Sequence, residues 1–265
     1  MEYKKELKMR VWSQKKYYHK ARLGNLDTKH LGARLLKLHC QSAKSIIDLG
    51  CGEGSRLGFV SEVRESSTGL VGVDISPTAI KLAQKAWPEI SFKQADLDKL
   101  SFYSESFDLV YSAFVLEHLS NPEQMLSEAI RITKSGGRLL LIAPNFGSPN
   151  RQSPPFKGSR IRKLSIGFFK DFFSKDASEL FWNKVTPIIE ESGVHSDWDT
   201  TVEPYLGSLI HFLKRNGLVI EEASSCWSEE LSNSNLGQKL FKVLGKLGVY
   251  PFWMWGPHLV VVVKK

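Results

Sequence analysis

The sequence predicts an α/β protein built on a mostly parallel sheet, and three observations carry that prediction. From residue 45 onward, short apolar runs alternate with helical segments of about ten to fifteen residues, the spacing of βαβ units. The first run ends in a glycine-rich turn, "IIDLGCGEGSR" at 46–56, of the kind that leads from a strand into a helix. Near the C-terminal end, "HLVVVV" (258–263) reads as one more strand after a long irregular stretch.

The elements follow in order. Ser45–Leu49 is the first strand, and the helix after its glycine turn runs to about Arg64. Leu70–Asp74 is the second strand; Ser76 and Pro77 then open a helix with a capping hydroxyl and a proline at its first position. Ile90–Ala95 and Phe107–Ser112 are the third and fourth strands. Asn121 and Pro122 start a helix with Met125, Leu126, Ala129, Ile130 and Ile132 at helical spacing, which Gly136–Gly137 should end before a fifth strand at Arg138–Ala143. The alternation then breaks. Residues 145–203 hold no clean strand but many aromatics, among them Phe146, Phe156, Phe168, Phe169, Phe172, Phe173, Phe181, Trp182 and Trp198. A helix over Pro204–Asn216, stopped by Gly217, and strands at Leu218–Ala223 and His258–Val263 restore order, with a second aromatic stretch (Trp227, Tyr250, Phe252, Trp253, Trp255) between the strands. Insertions at about 145–203 and 226–256 suggest a lid over a pocket, since long loops in compact domains are usually functional; helices that merely pack are the alternative.

The 265 residues suffice for one domain with insertions, here 45–265, preceded by a segment at 1–44. No apolar run reaches the ~20 residues of a membrane span, the N-terminus lacks a secretory core, and three scattered cysteines fit a reducing cytoplasm. The net charge of +8 is uneven: residues 1–44 hold twelve Lys/Arg against three Asp/Glu, whereas 45–265 hold 24 against 25. Tyr3, Trp12, Tyr17 and Tyr18 interleave with those basic residues. Such a segment suits either an anionic partner or an amphipathic helix docked by its aromatics with Lys4, Lys5, Lys8, Lys15 and Lys16 in water.

The glycine turn narrows the ligand. Asp74 lies 24 residues past Gly50 at a strand end, where a carboxylate accepts both hydroxyls of a ribose. Asp96, in "QADLDKL", lies beyond the third strand, placed to meet an adenine amino group. The glycines read GxGxG (Gly50, Gly52, Gly54), with Ser55 where a pyrophosphate-binding turn has its last glycine and with Asp48 two residues before the first. A carboxylate beside phosphates would repel them, so the turn favours an adenosine joined to a cation.

Residues 46–143 resemble a class I S-adenosylmethionine-dependent methyltransferase, of the group that includes quinone and small-molecule methylases. "IIDLGCGEG", "VGVDIS", "QADLDKL", "FDLVYSAFVLEHL" and "SGGRLLLIAPN" stand in the family's order. The resemblance implies a Rossmann-like seven-stranded sheet in the order 3-2-1-4-5-7-6 with the last strand antiparallel, and S-adenosylmethionine as cofactor. It also implies site roles. Gly50, Cys51 and Gly52 would line the methionine and ribose side, Asp74 would bind the ribose and Ile75 would pack on the adenine. Asp96 and Leu97 would hold its other edge, Ser112–Phe114 would pass under the sulfonium, and Asp48 would orient the turn and favour positive charge. The N-terminal segment would fold as helices across the cofactor mouth.

A hydroxyl acceptor gains from a base, and His118 in "LEHL" is the candidate, with a packing role as its alternative; Glu117, His195 and His211 are weaker ones. No His/Asp/Glu cluster has metal-ligand spacing. The Asn/Asp-Pro-Pro-aromatic stretch of enzymes acting on base nitrogens is replaced by "SAFV", and a Pro-Cys nucleophile is absent. The expectation is methyl transfer to a small or medium-sized, partly apolar metabolite, on oxygen. An RNA substrate recruited by the basic N-terminus, or a non-catalytic S-adenosylmethionine-binding protein, are the alternatives.

Overall fold

The computed structural model describes residues 9–19, 29–64, 67–173, 180–189, 197–226 and 236–265. Tyr3, Lys4, Lys5, Lys8, His195, Trp227 and the side chains of Phe172 and Phe173 lie outside the described residues. Helical turns at 9–12 and 15–19 come first, followed by α1 (Leu31–Cys40), β1 (Ser45–Leu49), α2 (Ser55–Val63), β2 (Gly69–Asp74), α3 (Pro77–Ala86) and β3 (Ser91–Gln94). β4 (Phe107–Ala113) leads through a 3-10 turn at Leu116–His118 into α4 (Pro122–Ile132) and β5 (Thr133–Pro144). Then come α5 (Arg160–Phe173), a two-strand ribbon of β6 (Asn183–Lys184) and β7 (Val202–Glu203), α6 (Leu206–Arg215), β8 (Val219–Ser224), α7 (Leu236–Lys246) and β9 (His258–Lys264).

Seven strands form one sheet in the order β3-β2-β1-β4-β5-β9-β8, with β9 antiparallel to both neighbours. Once the small ribbon is set apart, this is the expected order. Strand parity splits the core in two, because successive side chains face opposite sides of a sheet. Ile47, Leu49, Val110, Leu139 and Leu141 pack with Met125 and Leu126 of α4 and Leu209 and Leu213 of α6 on one face. Ile46, Leu109, Tyr111, Leu140 and Ile142 pack with Leu36 of α1 and Leu57 and Val60 of α2 on the other. The capping expectation for α3 holds: Ser76 Oγ accepts from the Ala79 N–H at 3.2 Å, and Pro77 begins the helix.

Three boundaries differ from the sequence reading. Gly136–Gly137 do not end α4, which stops at Ile132; they lie inside β5, where the Gly136 N–H donates to the Lys265 carbonyl and the ladder with β4 shifts register. The third strand is shorter than expected. Both aromatic insertions contain a helix, α5 and α7, where the sequence reading placed irregular structure. Among the described residues, no helix is long and apolar enough to cross a membrane.

Candidate active site

The C-terminal ends of β1, β2 and β4 meet at one edge of the sheet, the place where open α/β sheets bind ligands. A cavity of about 350 Å³ lies there. Its lining includes Gly50, Cys51, Gly52, Asp74, Ile75, Asp96, Leu97, Ala113, Phe114 and His118, all named from sequence.

The glycine turn is shaped by its own backbone. Gly50 sits at φ +82°, and a Cβ there would lie 2.4 Å from a Val115 methyl, so the turn can pass over the 3-10 segment only as glycine. The amides of Gly50 and Cys51 both donate to the Val73 carbonyl, at 2.8 and 2.9 Å, and that of Gly52 donates to Asp74 Oδ2 at 2.9 Å. The amides of Gly50, Cys51 and Gly52 are therefore already satisfied within the protein. Asp74 is held at its other oxygen by the Ser76 N–H at 2.9 Å, and burial raises its pKa against these two donors. Glu53, Asp74, Asp96 and Asp98 line the cavity against one guanidinium, Arg56. A ligand carrying a positive centre matches that balance better than a pyrophosphate does.

Three predicted cofactor residues do not line the cavity. Asp48 is 3% exposed and lies beneath the turn, opposite Tyr111 in the β1–β4 register. Burial pushes its carboxyl up to about 7, with the Arg56 guanidinium and the Tyr111 phenol pulling the other way. Arg56 itself lines the cavity: its Nη1 donates to the Ala113 carbonyl at 3.1 Å and its guanidinium sits 5.1 Å from the Phe114 ring centroid. Gly54 caps α2 at φ +84°, with Phe92 occupying the place a Cβ would take. Ser112 is fully buried and ties β4 to β1 by donating to the Leu49 carbonyl at 2.8 Å.

The rim joins His118 and the aromatics Trp12 and Tyr17, all noted from sequence, to Asp199, which sequence did not signal. His118 Nδ1 faces Asp199 Oδ2 at 3.3 Å, and the same oxygen accepts from Trp12 Nε1 at 2.9 Å and from the Tyr17 hydroxyl at 3.3 Å. Asp199 comes from the first insertion, which the Thr201 N–H ties to the Glu117 carbonyl at 2.8 Å. Trp12, Tyr17 and Tyr18 line the cavity, and the Trp12 carbonyl accepts from both the Tyr18 and Ser76 hydroxyls at 2.8 Å. Glu117, 1% exposed, has its carboxyl pushed up to about 7 by burial, which outweighs the lowering by His118. Arg56 and Asp199 lacked any local motif; only three-dimensional contact marks them.

A second cavity of about 370 Å³ lies between α5 and α6, with Phe156, Ile166, Phe181, His211 and Met254 in its walls and no residue shared with the first. In its wall Asp171 accepts from the Tyr205 and Tyr250 hydroxyls and from Trp255 Nε1. His211, a weaker candidate from sequence, is thus remote from His118.

Comparison with known proteins agrees with this geometry. The methyltransferase domain family matches residues 47–141. Trans-aconitate 2-methyltransferase of Azoarcus sp. (strain BH72) is 26% identical over 219 residues, covering 76% of this chain and 84% of that protein. Demethylmenaquinone methyltransferase of Tropheryma whipplei is 31% identical over 118 residues, 43% of this chain and 47% of its own. The chain spans half or less of several other curated relatives, 36% of one from Streptomyces fradiae and 45% of one from an invertebrate iridescent virus. An S-adenosylmethionine-dependent methyltransferase structure from Mesorhizobium loti superposes with a TM-score of 0.54 at 19% identity, covering 88% of this chain and 97% of that one. One from Aquifex aeolicus gives 0.51 at 13% identity, with 93% and 97% covered. The sheet order, the cavity at its strand ends and the matched segment identify residues 47–141 as a class I S-adenosylmethionine-dependent methyltransferase domain, whose cofactor is S-adenosylmethionine.

Proposed function

We propose that this protein transfers a methyl group from S-adenosylmethionine to a hydroxyl of a small or medium-sized, partly apolar metabolite. S-adenosylmethionine supplies a methyl carbon on a sulfonium, open to in-line displacement by a nucleophile. The residues of this chain would bind, orient and deprotonate. Asp74, at the end of β2, would accept ribose hydroxyls, Asp96 and Leu97 would hold the adenine, and the carboxylates of the lining would favour a positive centre; that all of them line one cavity supports this reading.

The observation that carries the oxygen reading is the His118–Asp199 pair on the cavity rim. A carboxylate at Nδ1 favours the tautomer with its proton there, so that Nε2 bears the lone pair. As the oxygen–methyl bond forms and the sulfur–methyl bond breaks, Nε2 would take the hydroxyl proton, and Asp199 would stabilise the imidazolium. Trp12 and Tyr17 donate to that same carboxylate, so the N-terminal helical turns are coupled to the base and would act as a lid that excludes water. Relatives named for trans-aconitate and demethylmenaquinone support a small-molecule acceptor.

The test is incubation of cell extract with the protein and deuteriomethyl-labelled S-adenosylmethionine, read by mass spectrometry. A labelled small metabolite, bearing its label as a methyl ether or ester and absent with His118→Ala, is expected. Label confined to RNA, or no turnover with any acceptor fraction, overturns the reading.

A further inference from the structure

α7 carries an apolar stripe that faces away from the protein. Leu236, Leu240, Val243 and Leu247 recur at i, i+4, i+7 and i+11, the spacing of one helix face, and are 87%, 56%, 52% and 72% exposed. The opposite face is the one that packs. Phe241 stacks on Phe252 with ring centroids 4.9 Å apart, and a Cβ on Gly245 would sit 3.1 Å from the Phe252 carbonyl oxygen. A core-facing helix would have the reverse polarity.

The flank of the stripe is basic. Lys239, Lys242 and Lys246 lie together on one side of it, and the segment 236–249 contains no Asp or Glu. A further exposed apolar face lies on α5, at Ile161 and Leu164, and Phe168 of that helix packs edge-on at 5.9 Å against Tyr250, which follows α7 in the chain.

We propose that this surface docks the protein on an anionic lipid bilayer, with α7 lying in the interface plane. An apolar stripe bordered by lysines fits the boundary between acyl chains and acidic headgroups. A second copy of this chain would bring no acid within 236–249 to meet these lysines, whereas an anionic headgroup layer meets all of them. Leu240 and Leu247 supply the insertion and the lysines the attraction, each lysine contributing about fivefold to binding near such a surface. The inference rests on this surface and not on the methyl acceptor.

The test is co-sedimentation of the 265-residue protein with phosphatidylcholine vesicles, with and without phosphatidylglycerol. Binding to the anionic vesicles alone, reversed by salt, is expected. Leu240→Glu with Leu247→Glu should abolish it, and Lys239→Gln, Lys242→Gln and Lys246→Gln together should weaken it by about two orders of magnitude. Circular dichroism should match the parent protein for both variants. Asp74→Ala, which removes the ribose ligand, should sediment like the parent, so a failure of the methyltransferase reading leaves this result intact. The proposal is overturned if the parent stays in the supernatant with anionic vesicles, if the glutamate variant still pellets, or if that variant instead dissolves a dimer that sedimentation velocity detects in the parent.

Discussion

Glu117 should make the protein less stable as pH rises, and Glu117→Gln should remove that loss. Neither carboxylate oxygen has a hydrogen-bond partner among the described residues, and the imidazole nitrogen His118 Nε2 is 3.7 Å away. Burial, with Asp197 and Asp199 adding repulsion, lifts the carboxyl from 4.5 to about 7. The folded protein therefore keeps this proton over a range where the unfolded chain has released it. The associated stability is fully present below about pH 4.5 and is lost as pH rises through about 7. At 1.36 kcal/mol per pKa unit the loss amounts to about 3 kcal/mol. The glutamine variant stays neutral, so it should exceed the parent by about 1 kcal/mol at pH 5 and about 3 kcal/mol at pH 8. Asp48, also raised, contributes equally to both proteins and cancels. Urea denaturation of the pair across this range measures the difference. A gap that does not change with pH, or a variant weaker than the parent at pH 8, would refute the reasoning.

Asp74→Ala should weaken S-adenosylhomocysteine binding at least about 30-fold in titration calorimetry, the loss of charge-assisted hydrogen bonds to two hydroxyls; an unchanged Kd removes Asp74 from the cofactor site. Asp199→Asn should lower kcat by about 10²-fold or more and displace the acidic limb of the pH–rate profile, because His118 loses its carboxylate; an unaltered profile would show that His118 is not the base. Trypsin cleavage at Arg10, Lys15 and Lys16 should slow when S-adenosylhomocysteine is added, and equal rates with and without it would deny the N-terminal turns a lid role.

What was legible in the sequence was local. Gly50 and Asp74 announce themselves because a positive-φ turn and a strand-end carboxylate each require a particular residue at a particular place. Strand parity tells that Asp48 shares a face with Ile46, but not that it lies beneath the turn, opposite Tyr111 and in the field of Arg56. Asp199 meets Trp12 across 187 residues, and nothing within its own irregular stretch distinguishes it from neighbouring Asp197. Gly136–Gly137 misled because a glycine pair after a helical pattern resembles a stop signal, whereas here the backbone uses it to pass between two strand registers. Helix α5 is hard to read because its apolar residues spread around the helix, whereas the stripe of α7 lies inside a stretch marked chiefly by the aromatics Trp227, Tyr250, Phe252, Trp253 and Trp255.

The position of β9 has a consequence for how the chain must be made. β9 lies between β5 and β8, bonded to both along almost its whole length. β8 therefore leaves the ribosome before the strand that holds it in the sheet, and in that interval β5 also presents an open edge. Two unpaired edges of neighbouring apolar strands invite wrong pairings, with each other or with a second nascent chain. Removing His258–Lys264 would fix the protein in that interval: residues up to Pro144 would keep their βαβ order, but β8 and α6 would lose their anchor to it. Synthesis slowed just before β9 should therefore raise aggregation more than an equal delay anywhere earlier in the chain.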